Sequence, residues 1–207
     1  MQPTAEKFLS DVKKHQISII NDDGVNRHIR YKIPGTSNTY FDLITWKGHL
    51  CYTGDMGTYV FSRIEDMFEF FRQKKLQINP QYWSEKCLSE SRFGEGIRQF
   101  SRDNFEDAVR SEFRNFIEYQ REDMTDIAAF GRRMRSIWQE INDRLFGCEN
   151  EYEAMDAAYS FDEDGFRMDD FWEHTITEYT YHFIWCLYAI VWGIQQYDSN
   201  SDIGYSF

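Results

Sequence analysis

The segment HLCYTGDMG, residues 49–57, brings His49, Cys51 and Asp55 within seven positions, the residue types from which a thiol nucleophile, its base and an orienting acid are assembled. In an extended strand His49 and Cys51, at i and i+2, share a face. The bland reading of the same stretch is a tight turn whose glycines supply positive φ. A second set, His174, Glu178 and His182, has the four-residue spacing of one helical face and could share a proton or a metal. The competing reading is a pair of hydrogen-bonded histidines beside a core. No HExxH, HxH, CxxC, Walker or GxSxG pattern accompanies them, so neither a metal nor an organic cofactor is expected.

A third feature is electrostatic. Residues 149–178 carry eleven carboxylates against Arg167 alone. Within them Asp162-Glu163-Asp164-Gly165 suggests a calcium loop, but aligning Gly165 with the invariant glycine puts Ser160 first and Phe171 where the bidentate glutamate belongs. That match fails. A solvated loop between two helices is the ordinary alternative. The functional one is a partner-facing surface of Asp162, Glu163, Asp164, Asp169, Asp170 and Glu173, with Phe166 and Trp172 as apolar anchors. Such a surface suits a basic protein, and it disfavours direct binding of DNA or RNA, which needs clustered Lys and Arg. Residues 1–80 hold nine acids and eleven bases, so the net charge of −12 arises in the remainder.

The elements that must position these groups follow from periodicity. Phe8, Leu9 and Val12 mark a short helix over residues 5–15, and five strand-like runs follow at 16–21, 27–33, 40–46, 49–53 and 58–62. The turns between the runs are short, which forces antiparallel neighbours. Ile64, Met67, Phe68 and Phe71 then change the period to that of a helix. Pro80 starts a short helix through Trp83 and Leu88, and a glycine-containing break follows at 93–96. Ser101 or Asp103 caps a helix carrying Phe105, Val109 and Phe113. Another spans 125–146 with Gly147 at its C′ position. A further one covers 151–159, and the last starts at Asp169 or Asp170 and runs to about Tyr197.

This describes one α+β domain over 1–198, strand-rich at 16–62 and helical at 63–198, with a long apolar C-terminal helix and a partly mobile tail at 199–207. The twelve apolar residues at 183–194 fall short of the about 20 that a bilayer span requires, so no membrane association is expected. Four cysteines at 51, 87, 148 and 186 form no disulfide framework, in keeping with a reducing cytoplasm. Thirteen Tyr, eighteen Phe and six Trp fill a core or anchor interfaces, a homodimer among them.

The motifs FDLITW at 41–46, GHL at 48–50, GDMG at 54–57, YVF at 59–61 and DMF at 66–68 with Phe70 and Phe71, together with EYTY, FIWC and QQYD between 178 and 198, resemble a group of uncharacterised bacteriophage and prophage proteins. The resemblance supplies no catalytic or binding residues. It implies an accessory protein of the host cytoplasm that counters host defence, an anti-CRISPR-type inhibitor that binds an immune protein, with carboxylates acting as a nucleic-acid mimic. A small enzyme of hydrolase or nuclease type built on either histidine set is the alternative, as is a phage structural or regulatory oligomer.

Overall fold

The computed structural model describes residues 2–36, 39–90, 96–122 and 124–204. Among them are seven α-helices, a six-stranded antiparallel sheet and a two-stranded ribbon, an α+β composition. The chain divides into two compact units, Met1–Ile97 with Tyr179–Phe207, and Arg98–Glu178. The sequence reading describes one domain over 1–198, strand-rich at 16–62 and helical at 63–198. In sequence the second unit is inserted within the first.

In the first unit α1 (Ala5–Val12) is capped by Thr4, whose side chain accepts from the Lys7 amide. Strands β1 (Gln16–Asp23), β2 (Asn26–Lys32), β3 (Tyr40–Trp46), β4 (His49–Gly54) and β5 (Gly57–Ser62) lie in sequence order, within one or two residues of the predicted runs. A sixth, β6 (Cys87–Glu90), pairs with β5. Strands were expected only in the first third. Here Leu88, assigned to the Pro80 helix, is 65% exposed on an edge strand, where short pairing needs no apolar alternation.

Alternation on the central strands puts one row on the core face: Ile29 pairs with Leu43, Leu43 with Tyr52, and Tyr52 with Tyr59. All four are buried. Beside them Tyr31, Phe41 and Tyr52 stack in succession at 4.8 and 5.5 Å between centroids. Helix α2 (Met67–Phe71) takes Asp66 as its cap and is only five residues long; Ile64, placed on its stripe by the sequence, lies outside it and is exposed. Helix α3 (Pro80–Ser84) starts on Pro80 with Asn79 as cap.

Helix α7 (Tyr181–Gly204) covers the core face. Its cap is Thr180, fully buried, whose Oγ1 accepts from the Phe183 amide at 3.1 Å and donates to the Gly96 carbonyl at 2.8 Å. The predicted start at Asp169 or Asp170 is therefore wrong. Asp170 precedes only a three-residue 3-10 turn, Phe171–Glu173, without a side-chain cap, and strand β8 (Thr177–Tyr179) intervenes. The apolar character of α7 is also narrower than expected. It ends at Ile194, and Gln195 through Asn200 are polar or partly exposed, so the helix as a whole is not apolar. Among the described residues no helix is long and apolar enough to cross a membrane. The helix continues past Asp198, where a tail was expected, and residues 205–207 lie outside the described set.

Gly193 is a point of close approach of α7 to the sheet. A Cβ there would meet Leu43 Cδ1 at 2.8 Å and the Tyr31 ring at 3.2 Å, while the Tyr31 hydroxyl donates to the Gly193 carbonyl at 2.6 Å.

The second unit, Arg98–Glu178, packs α4 (Arg102–Arg121), α5 (Ile127–Arg144) and α6 (Glu151–Ser160), with its ends joined by the ribbon of β7 (Arg98–Phe100) and β8. Ser101 caps α4 through a hydrogen bond from the Asn104 amide. Its core is Phe105, Val109, Phe113, Ile137, Ile141 and the aromatic residues of 161–171. Ile127 is 76% exposed in the first turn of α5. Gly147 does not take the positive φ of a C′ glycine.

Two outcomes test this packing. Gly193→Ala gains about 1 kcal/mol in helix propensity but forces an overpacked contact costing about 1–3 kcal/mol; a net lower denaturation midpoint is expected, and a higher one would refute the contact. On the opposite face of the sheet, Asp42 is 4% exposed and accepts two hydrogen bonds from Arg30, both at 2.8 Å, and one from His28 Nε2 at 2.9 Å. Burial pushes its carboxyl up, and the Arg30 and His28 hydrogen bonds outweigh that and hold it below the usual range. A depressed folded value means that the stabilisation is complete above the unfolded pKa of about 4 and is lost as pH falls through the folded one. Melting curves between about pH 2 and 6 should show a gap between the protein and Asp42→Asn that closes with acidification.

Candidate functional site

The acidic segment is built around a hairpin turn. Glu163 and Phe166 exchange backbone hydrogen bonds at 3.2 and 2.9 Å, and Asp164 and Gly165 both take positive φ, 48° and 79°. Two successive positive φ values define a type I′ turn, for which Asp-Gly is a favoured pair. Reading 162–165 only as a solvated loop or a cation loop misses that signal, which is local and was present in the sequence.

The turn brings Phe161 and Phe166 together at 5.8 Å, and Phe166 also meets Phe113 and Phe116 at 5.4 and 5.2 Å. Phe166 is 1% exposed, so it is a core residue and not the surface anchor expected. Trp172 differs: it is 61% exposed beside the buried Phe171.

Three of the predicted acids are already partnered within the unit. Asp162 pairs with Arg167 at 2.5 Å, Glu163 with Arg144 at 3.9 Å, and Asp164 with Arg133 at 2.8 Å. Arg133 also donates to the Asp164 carbonyl at 2.7 Å and to Gln120 at 2.9 Å, so one guanidinium spans α4, α5 and the turn. The Arg167 hydrogen bond comes first in lowering the carboxyl of Asp162. Asp169, Asp170 and Glu173 are exposed and enter no ion pair among the described residues. The candidate surface is thus Asp169, Asp170 and Glu173 around Trp172. Over the whole unit 21 acidic residues face ten arginines and no lysine, a net charge of −11.

The histidine sets do not assemble. His49 and Asp55 stand at opposite ends of the β4–β5 hairpin, since His49 pairs with Ser62 and Gly54 with Gly57, about 20 Å of strand rise apart. The His49 ring lies flat on Trp46 at 4.9 Å, and its Nδ1 is 3.0 Å from the Lys47 carbonyl. Cys51 shares the face of His49, yet burial, then the Asp42 charge, push its thiol up, the reverse of what an activated nucleophile needs. His174, Glu178 and His182 lie on a loop, on β8 and in the first turn of α7, so the helical spacing does not apply. His174 Nε2 sits 2.6 Å from Glu112, and Glu178 accepts from Gln99 at 2.9 Å. Among the described residues no three His, Cys, Asp or Glu side chains converge to hold a metal ion.

A cleft in the first unit escaped sequence reading. It has a volume of about 370 Å³ and is lined by residues of α1, the 39–40 and 55–56 turns, β4 and α7. Asp55, picked out in the sequence, is one of them, but its companions are His15 and Tyr52, not His49 and Cys51. Only strand alternation at Tyr52 hinted at any of this.

Replacing Arg133 by Ala should cost the second unit about 1–3 kcal/mol, whereas Asp169→Ala should stay within about 0.5 kcal/mol; chemical denaturation of both variants distinguishes a structural acid cluster from a free one. No family model, no curated protein and no solved structure matches this chain.

Proposed function

We propose that the Arg98–Glu178 unit is a protein-binding module that docks on a basic partner through Asp169, Asp170 and Glu173, with Trp172 as the apolar anchor. The observation that carries this reading is the division of labour among the acids: those at 162–164 form ion pairs with arginines of the same unit, and those around the exposed Trp172 form none among the described residues. A carboxylate cluster without internal partners projects a field that steers a cationic surface, and a solvent-facing indole supplies the contact energy that charge alone does not. The resemblance to phage proteins supports a setting in the cytoplasm of an infected host. There the partner is a nucleic-acid-binding component of a defence system, and the carboxylates stand where phosphates would bind.

Tagged protein should capture such a partner from host lysate at about 50 mM salt and release it at about 300 mM, because the Debye length falls below the spacing of surface charges. A triple variant, D169K/D170K/E173K, should lose the partner while retaining its circular dichroism and melting temperature. Added duplex DNA should displace the wild-type complex. Equal capture by the triple variant would sink the acidic-surface reading, and capture indifferent to DNA would sink the mimicry.

A further inference from the structure

We propose that the cleft of the first unit binds a small organic amine in its ammonium form, a site separate from the acidic surface and independent of that reading. Its walls are aromatic: Tyr40, Tyr52, Tyr181 and Trp185 line it together with Met56. Its polar groups then decide what it accepts.

Among the described residues one cation, Lys7, reaches the cleft, and it is engaged with Asp11 at 2.5 Å. The second oxygen of Asp11 takes the Trp185 indole N–H at 3.3 Å, so this carboxylate is satisfied on both sides. His15 is half-buried, and burial lowers its pKa against the nearby Thr39 and Val12 carbonyls, which leaves it neutral near pH 7. What remains is Asp55. It is exposed, accepts the Thr39 amide with one oxygen, and has no cationic partner among the described residues. The cleft therefore carries one uncompensated negative charge among aromatic rings, the setting in which an ammonium gains from both ion pairing and the ring quadrupoles. An anion would find no free cation there.

Tyr52 backs the cleft but is fully buried, with its hydroxyl closed off beside the thiol of Cys186, so it serves as wall and offers a ligand no polar atom. The ligand is thus an ammonium group carried on an apolar, preferably aromatic, body.

Calorimetric titration of the full chain with tyramine, phenethylamine and the neutral alcohols tyrosol and phenethyl alcohol tests each part. Tyramine should bind on the order of fivefold tighter than tyrosol, and Asp55→Asn should abolish that preference. Phenethylamine should likewise bind more tightly than its neutral counterpart phenethyl alcohol. Equal binding of tyramine and tyrosol, or no saturation with any probe up to about 10 mM, would overturn the proposal. Because Asp55→Asn also touches the Thr39 turn, the comparison on the unaltered chain stands alone: phenethylamine no tighter than phenethyl alcohol would overturn the charge assignment.

Discussion

The first unit depends on one contact, the approach of helix α7 to the sheet at Gly193. A sheet with one apolar face is not stable by itself, and here a single helix covers its central strands. The helix comes close only because position 193 has no side chain, which lets the Tyr31 hydroxyl reach a main-chain carbonyl while the Tyr31 ring stacks on Phe41. Rings from the two layers then interlock: Trp192 meets Tyr31 at 5.6 Å, Trp185 meets Phe41 at 5.9 Å, and Phe183 meets Tyr59 at 5.4 Å. The high aromatic content of the chain finds its main explanation in this interlayer. The cleft follows from the same geometry, since Trp185 and Tyr52 belong to the two layers and also line the cavity.

Legibility from sequence tracked the range of the interactions. The five-strand meander was readable because alternation and turn chemistry are local, and observed strand ends differ from prediction by one or two residues. Helix starts at Pro80 and Ser101 were readable for the same reason. The start of α7 was not. Asp169 and Asp170 look like caps, but Thr180 wins because its backbone and hydroxyl are held by Ile97 and Gly96, more than eighty residues earlier in the chain. The nested arrangement of the two units is equally non-local.

The candidate surface shows why composition misleads about position. Eleven carboxylates in thirty residues read as one electrostatic patch. Folding sorts them. Arg133 and Arg144, from α5, return to the 162–166 turn and engage acids there, so those residues hold the hairpin in place, and Phe166 enters the core between α4 and the turn. A sequence pattern reports charge density, whereas recognition requires charge without an internal partner. For Arg133 and Asp164 the distinction lies in a pair separated by 31 positions, beyond the reach of any local rule.

The absence of lysine from Arg98–Glu178 has a practical side. Arginine serves there as the only cation, and its planar fork explains the two-point grip of Arg133 on the turn. All eight side-chain amines of the protein fall in residues 1–97. Acylation, ubiquitin attachment and amine-directed cross-linkers therefore write on lysines of the first unit alone. The acidic unit stays silent to lysine chemistry and is visible to carboxylate- or guanidinium-directed reagents instead.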